Sequence, residues 1–190
     1  MISIKDVSRS GNVTRWHSVR TKRAQNLSEH HYLVTMYARR LFIDIVNSGS
    51  EELLLLMEYC LLHDTPELLM GDMPTPVKRK IQSFCDDHEY INPILIIEKS
   101  ICPEVSDLSD KINGTPLYYI AKAADLIDAY HFLREEGEGK HSEIVLTKVR
   151  DQLDKLIAGA NKDFPKYNWE IINTVIDELL YGVDNMLEFE

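Results

Sequence analysis

His63 and Asp64 stand side by side at the end of an apolar run, and Glu67, Gly71, Asp72 and Pro74 follow closely. An adjacent imidazole and carboxylate suit a divalent ion of intermediate hardness. His30 and Asp125, distant in sequence, can complete such a corner from two other helices. Asp125 lies among Ala121, Ala123, Ala124, Leu126 and Ile127, where an ionised carboxylate is costly unless its charge is matched. A divalent ion matches it, and so would Lys122 or Lys111. A metal corner of this kind activates water and polarises a phosphoryl oxygen, so it points to metal-dependent phosphate-ester chemistry.

The remaining parts of such a reaction have candidates nearby. Glu67 falls about one helical turn beyond Asp64 if the helix persists, which fits general acid or base work, with Asp72 positioning water or sharing the proton transfer. Alternatively, Glu67 caps a helix and Asp72 stabilises the turn around Gly71. Arg15 offers a fork of donors to a phosphate, and Trp16 a flat wall to a sugar or base. His17 and Ser18 can line a base pocket. Arg20 is a further phosphate contact or a partner for core acids, and Lys78 reaches a phosphate or stays at the surface. Arg9, Arg15, Arg20, Lys22 and Arg23 form a basic stretch in a chain whose net charge is -10. That overall charge repels a nucleic-acid polymer, yet a metal and a few local cations can reverse the potential inside one pocket and admit a mononucleotide.

The elements that must position these residues read as helices throughout, with no run of strand-like alternation. Residues 1–8 form a short helix or an extended arm, and 9–27 are irregular. Ser28 or Asn26 caps a helix that carries Leu33, Met36, Tyr37, Leu41 and Ile45 on one face and ends near Asn47-Ser48-Gly49. A second helix runs from Ser50 to about His63, and Pro66 restricts Thr65 and ends it. The stretch from Gly71 to Pro76 is a turn, with Pro76 suited to a first helical turn. Helices follow over about 77–90 and 92–103, a loop or a loop with a broken helical turn over 103–115, a central helix from Leu117 to Arg134 ended by Gly137 and Gly139, and final helices from Val145 to Ile157 and Ile171 to Leu180. The tail after Gly182 is acidic and expected to fray.

The 190 residues, 44% hydrophobic and 27% charged, suit one folded domain over 1–190 with a sizeable core. Cys60, Cys85 and Cys102 are odd in number and without CxxC spacing, as expected of reduced thiols in a cytoplasmic protein. No apolar stretch reaches the length of a membrane span or a secretory signal, so no membrane partner is expected.

The chain resembles the HD-domain phosphohydrolases, and more closely the bacterial 5′-deoxynucleotidase branch. The matching segments are Arg15-Trp16, Val19-Arg20-Thr21, Ser28-Glu29-His30, His63-Asp64 with Glu67, Gly71-Asp72 with Pro74-Thr75-Pro76-Val77-Lys78, and Lys122-Ala123-Ala124-Asp125 with Ala129-Tyr130. The resemblance implies an all-α, compact HD-domain helical bundle with the metal site between central helices. It makes His30, His63, Asp64 and Asp125 the ligands of one divalent ion such as cobalt, manganese or zinc, and it leaves His31 outside the set. It also implies that Arg15 and Trp16 contact a nucleotide, the tryptophan crowding the sugar 2′ position and so favouring deoxyribose. The implied activity is hydrolysis of deoxynucleoside 5′-monophosphates to deoxynucleoside and phosphate. The alternative is a deoxynucleoside triphosphate triphosphohydrolase of the kind found in viruses, with Arg20, Lys22, Arg23 and Lys78 as further phosphate contacts. The family pattern has proline after the tryptophan where this chain has His17, which leaves base preference and phosphate number open. Related enzymes form dimers or larger rings, and Trp169, Ile171, Ile172, Val175, Ile176, Leu179 and Leu180 serve either such an interface or the core.

Overall fold

The computed structural model describes residues 3–183, so the acidic tail lies almost wholly outside the described residues. Helix α1 (Ile4–Val7) is capped by Ser3, whose side chain accepts from the Asp6 amide. After a 3-10 turn (Ser10–Asn12) the chain forms a closed loop up to α2 (Leu27–Ile45). Asn26, rather than Ser28, is the cap: its side-chain oxygen accepts from the Glu29 amide at 2.9 Å. Then come α3 (Ser50–Leu62), the short α4 (Glu67–Met70), α5 (Thr75–Asp87), α6 (Pro93–Ile101), α7 (Pro103–Ile112), α8 (Pro116–Glu136), α9 (Gly139–Asp163) and α10 (Ile171–Tyr181). The helical class is as the sequence leads one to expect.

Helix α8 is the central member. It packs on α2 and α9, while α2 also packs on α3. Leu41, Leu56, Ile112, Ile120, Ile127, Leu153, Trp169 and Ile172 are fully buried in this core. Each such aliphatic side chain contributes about 1.5–3 kcal/mol by leaving water. Thr115 caps α8 by accepting from the Leu117 amide, and Pro116 sits in the first turn where no N–H is needed. The helix stops at Gly137, where an added Cβ would lie 2.4 Å from the Leu133 carbonyl oxygen and 2.0 Å from Ser142 Oγ.

Two expectations change, and one open alternative is decided. The 103–115 segment is mostly helix: polar Ser106, Asp107 and Asp110 suggest a loop, but Leu108 and Ile112, one turn apart, are buried, and α7 packs on α3 and α8. Helix α9 extends well beyond 145–157 at both ends, because its polar first and last turns carry no apolar signal. The apolar face of α10 belongs to the protein's own core, with Trp169, Ile172, Val175 and Ile176 buried. Exposed apolar side chains gather instead around α5 and α6, at Phe84, Tyr90, Ile91, Leu95 and Ile96. The cysteines are free and buried. Among the described residues no helix is long and apolar enough to cross a membrane.

Candidate metal and phosphate site

Four separate elements meet at one corner. Helix α2 brings His30, the end of α3 brings His63 and Asp64, α8 brings Asp125, and the loop before α2 brings Arg15. His30, His63 and Asp125 each place one donor atom within 4.8 Å of the others. His30 Nε2 is 3.3 Å from His63 Nε2 and 3.5 Å from Asp125 Oδ1. Asp64 Oδ2 stands 3.5 Å from both imidazole Nε2 atoms. The helix does not persist through this corner. It ends at Leu62, the Thr65 amide folds back onto the Leu62 carbonyl, and the Glu67 amide donates to the Asp64 carbonyl. Two adjacent side chains thereby reach the same space, which a straight helix would deny them.

The ring orientations favour a cation. His63 Nδ1 donates to the Cys60 carbonyl at 2.8 Å, so its Nε2 carries the lone pair. His30 Nδ1 donates to Asp128 Oδ2 at 2.6 Å, which turns its Nε2 lone pair to the same point. Two imidazole nitrogens facing each other between two carboxylates need a positive charge among them, which a proton on His30 supplies in the metal-free protein and a divalent ion can replace. The 3.3 Å separation matches the edge of a tetrahedron with metal–nitrogen bonds of about 2.0–2.1 Å. The donor set fits a divalent ion, and a carboxylate behind a ligating histidine is the usual support for one.

Titration behaviour follows from the same packing. Burial and Arg15 push the His30 imidazole down, but Asp128, Asp64 and Asp125 prevail and hold it up at about 9. Burial keeps His63 below its ordinary value against the pull of Asp64. Burial works to raise Asp64 and Asp125, yet the histidines, with Arg15 at Asp64 and Lys122 at Asp125, keep both carboxyls low. Both are therefore ionised and ready to bind metal. His31 Nε2 is buried without a partner, its ring 5.4 Å from that of His63. Burial and His63 push it down to about 3, so it stays neutral.

Glu67 is 4% exposed. Its Oε1 accepts from Lys78 Nζ at 2.9 Å, while its Oε2 is buried with no partner. Burial and the nearby Asp64 charge raise its carboxyl to about 7 against the opposing Lys78. Lys78 also donates to Glu98 at 3.3 Å. Asp72 is half-buried, its Oδ2 3.7 Å from His17 Nε2.

A cavity of about 660 Å³ opens on this corner, and Glu67, Asp72 and Asp125 face it. Arg15, Lys78, Arg79, Lys122 and Lys155 line the same space. Arg15 Nη1 is buried with no hydrogen-bond partner, 3.9 Å from Asp64 Oδ2. A second cavity of about 630 Å³, between α3, α5, α6 and α7, shares His63, Asp64, Lys78, Arg79 and Lys122 with the first. Arg79, Lys122 and Lys155 join the first cavity's lining without being singled out by the sequence as phosphate contacts. Lys122 had a signal, since it precedes Asp125 by three residues and so shares its helix face; Lys155 had none.

Trp16 stands behind Arg15, its ring parallel to Phe132 with centroids 6.0 Å apart and its Nε1 donating to Gln25 Oε1. Its φ of 68° is a left-handed conformation that costs a bulky residue about 1–3 kcal/mol. The loop bears that strain because the Arg15 amide donates to the Gln25 carbonyl and the Val19 amide to the Trp16 carbonyl. Ser18 is exposed and lines neither cavity. Arg20 is also carried away from the corner, paired with Glu138 at 2.8 Å. Arg23 pairs with Glu29 and Glu136, and Lys22 donates to the Glu135 carbonyl. The basic stretch thus fastens the loop to the end of α8, where the Lys22 amide donates to the Glu136 carbonyl and the Glu138 amide to the Arg20 carbonyl.

An all-helical bundle with a His, His-Asp, Asp corner defines an HD phosphohydrolase. The chain belongs to the YfbR-like 5′-deoxynucleotidase family, whose model matches residues 4–168. It is 30% identical to a dATP triphosphohydrolase of Acinetobacter phage SH-Ab 15497, over 94% of this chain and 91% of that one. It is also 30% identical to a 5′-deoxynucleotidase of Citrobacter koseri, over 85% of this chain and 84% of the other. Its fold is similar to that of the cyanophage S-2L HD phosphohydrolase DatZ, described with dA and one catalytic Zn2+ ion. The TM-score is 0.73 at 22% identity, covering 100% of this chain and 99% of that chain.

Proposed function

We propose that the protein hydrolyses a deoxynucleoside triphosphate, dATP first among them, to the deoxynucleoside and tripolyphosphate. The observation that carries this reading is the cation lining of the cavity at the metal corner, where Arg15, Lys78, Arg79, Lys122 and Lys155 face one space. Asp64 and Asp125 offset the charge of the ion and Lys78 is tied to Glu67 and Glu98, which leaves Arg15, Arg79, Lys122 and Lys155 for phosphate. A monophosphate needs few of them, whereas a triphosphate can engage the row. The 30% identity to a phage dATP triphosphohydrolase across nearly the whole chain supports the same reading.

His30, His63, Asp64 and Asp125 would hold the ion. When bound, it supplies charge neutralisation at the phosphoryl oxygens and a more acidic water. Glu67 takes the proton of the attacking water on Oε2, while Lys78 holds Oε1 and fixes the carboxylate plane. A carboxyl near pH 7 serves this task better than an ordinary one. Asp72 orients the water or shares its proton. The unpartnered Nη1 of Arg15 meets the phosphate nearest the sugar, with the Trp16 ring packed behind that arginine and outside the lining of both cavities. Lys122, Arg79 and Lys155 take the outer phosphates.

The second reading is the 5′-monophosphatase that the sequence alone places first, favoured by the family description and the Citrobacter relative. Steady-state kinetics on protein loaded with zinc, cobalt or manganese separate the two. A kcat/KM for dATP at least tenfold above that for dAMP is expected. The opposite ranking would establish the monophosphatase.

A further inference from the structure

Gln25 is fully buried, as are His30 and the 1%-exposed Asp128, and it touches both halves of the site. Its backbone carbonyl accepts from the Arg15 amide at 2.9 Å. Its side-chain Oε1 accepts from Trp16 Nε1 at 2.8 Å, and its Nε2 donates to Asp128 Oδ2 at 2.9 Å. That same Oδ2 accepts from His30 Nδ1 at 2.6 Å. The direction of this chain is fixed from its outer end. An indole nitrogen only donates, so the Gln25 amide must turn its oxygen to Trp16 and its NH2 to Asp128. Asp128 then receives two donors on one oxygen, which fixes the direction of that oxygen. A histidine whose Nδ1–H faces that acceptor has its Nε2 lone pair aimed at the metal corner.

We propose that Gln25 is a positioning residue that links the Arg15–Trp16 loop to the metal centre through Asp128 and His30. Loss of the bond at either end leaves a buried amide group without a partner, which favours a rearranged side chain and frees Asp128 to turn. The orientation of His30, and with it the hold on the ion, therefore depends on Trp16, which lines neither cavity. In the other direction, an ordered metal centre stabilises the left-handed Trp16 and the loop that meets the substrate. Nothing in the spacing of Trp16, Gln25 and Asp128 announces this, since Gln25 and Asp128 lie 103 residues apart.

The inference rests on the metal-site reading but not on the choice of substrate, so it is tested without nucleotide. Cobalt(II) affinity, by competition with a chelator, and the visible spectrum of the bound ion are compared for the parent, Gln25→Leu and Trp16→Phe. Circular dichroism confirms that each variant is folded. Tight binding of about one equivalent by the parent is expected, with about 10-fold weaker binding in both variants and a shifted cobalt spectrum. The two changes combined should weaken binding no further than either alone, because they break one chain. Trp16→Phe keeps the ring and removes only the N–H, so it decides the matter if Gln25→Leu fails to fold. Failure of the parent to bind cobalt would reject the metal-site reading itself. Parental affinity and spectrum in folded Trp16→Phe, with the parent binding normally, would overturn the coupling alone.

Discussion

Lys78 Nζ lies 2.9 Å from Glu67 Oε1, and the other oxygen of that carboxylate is buried with no partner. One lysine thus orients the carboxylate while its second oxygen is left to receive a proton. Glu67→Gln keeps the shape and the Lys78 contact but removes the base. We expect kcat to fall by about 10²–10⁴-fold, with metal affinity within a factor of about two of the parent, since Glu67 is outside the His30, His63, Asp64, Asp125 set. Rapid-quench kinetics and a metal titration on the same preparation check both halves; undiminished kcat would remove Glu67 from the chemistry.

The raised carboxyl also has a consequence for stability. Glu67 moves from an ordinary 4.5 to about 7 on folding, so the folded state holds its proton more tightly than the unfolded chain does. Its stabilising contribution is complete below about pH 4.5 and is lost as the pH climbs through about 7. Metal-free parent protein should therefore lose stability relative to Glu67→Gln across that window. Urea unfolding of the pair at several pH values measures the difference; parallel curves would contradict the placement of the carboxyl.

How much of this was readable beforehand depends on what each residue needs from its neighbours. Asp125 announces itself because small apolar residues flank it, and His63-Asp64 because an ionisable pair ends an apolar run. Both signals are local. Asp128 and Gln25 are silent, because a buried polar residue looks like any other until distant partners meet. The basic stretch misleads for the opposite reason. Arg20, Lys22 and Arg23 look like phosphate contacts, but the chain brings Glu29, Glu136, Glu138 and the Glu135 carbonyl to them. Helix α7 was hidden by its polar outer face, although Leu108 and Ile112 already marked the inner one.

Metal uptake should depend on pH through His30. Its imidazole is held up at about 9 in the metal-free protein, so near neutrality a proton occupies the position the ion needs and must leave when metal binds. Affinity should rise as the pH is raised through that range. Calorimetry in buffers of different ionisation enthalpy should detect about one proton released per ion at pH 7. No release, with normal binding, would contradict the assignment of His30.

The cations should divide by depth. Lys122 is half-buried beside Asp125, while Lys155 is exposed at the cavity rim. Lys122→Ala is expected to cost dATP turnover about 10-fold or more in kcat/KM. Lys155→Ala should raise the KM for dATP by about 2- to 5-fold, an effect that added salt shrinks. Equal losses for dATP and dAMP in Lys155→Ala would argue that no outer phosphate reaches the rim.

The most direct measurement is phosphorus NMR of a single reaction: metal-loaded protein with dATP, followed until the substrate signals disappear. Tripolyphosphate resonances growing in step with free deoxyadenosine, without orthophosphate, are the expected result. Unchanged dATP beside a dAMP control that releases orthophosphate would contradict the triphosphohydrolase reading and make the cavity that of a monophosphatase.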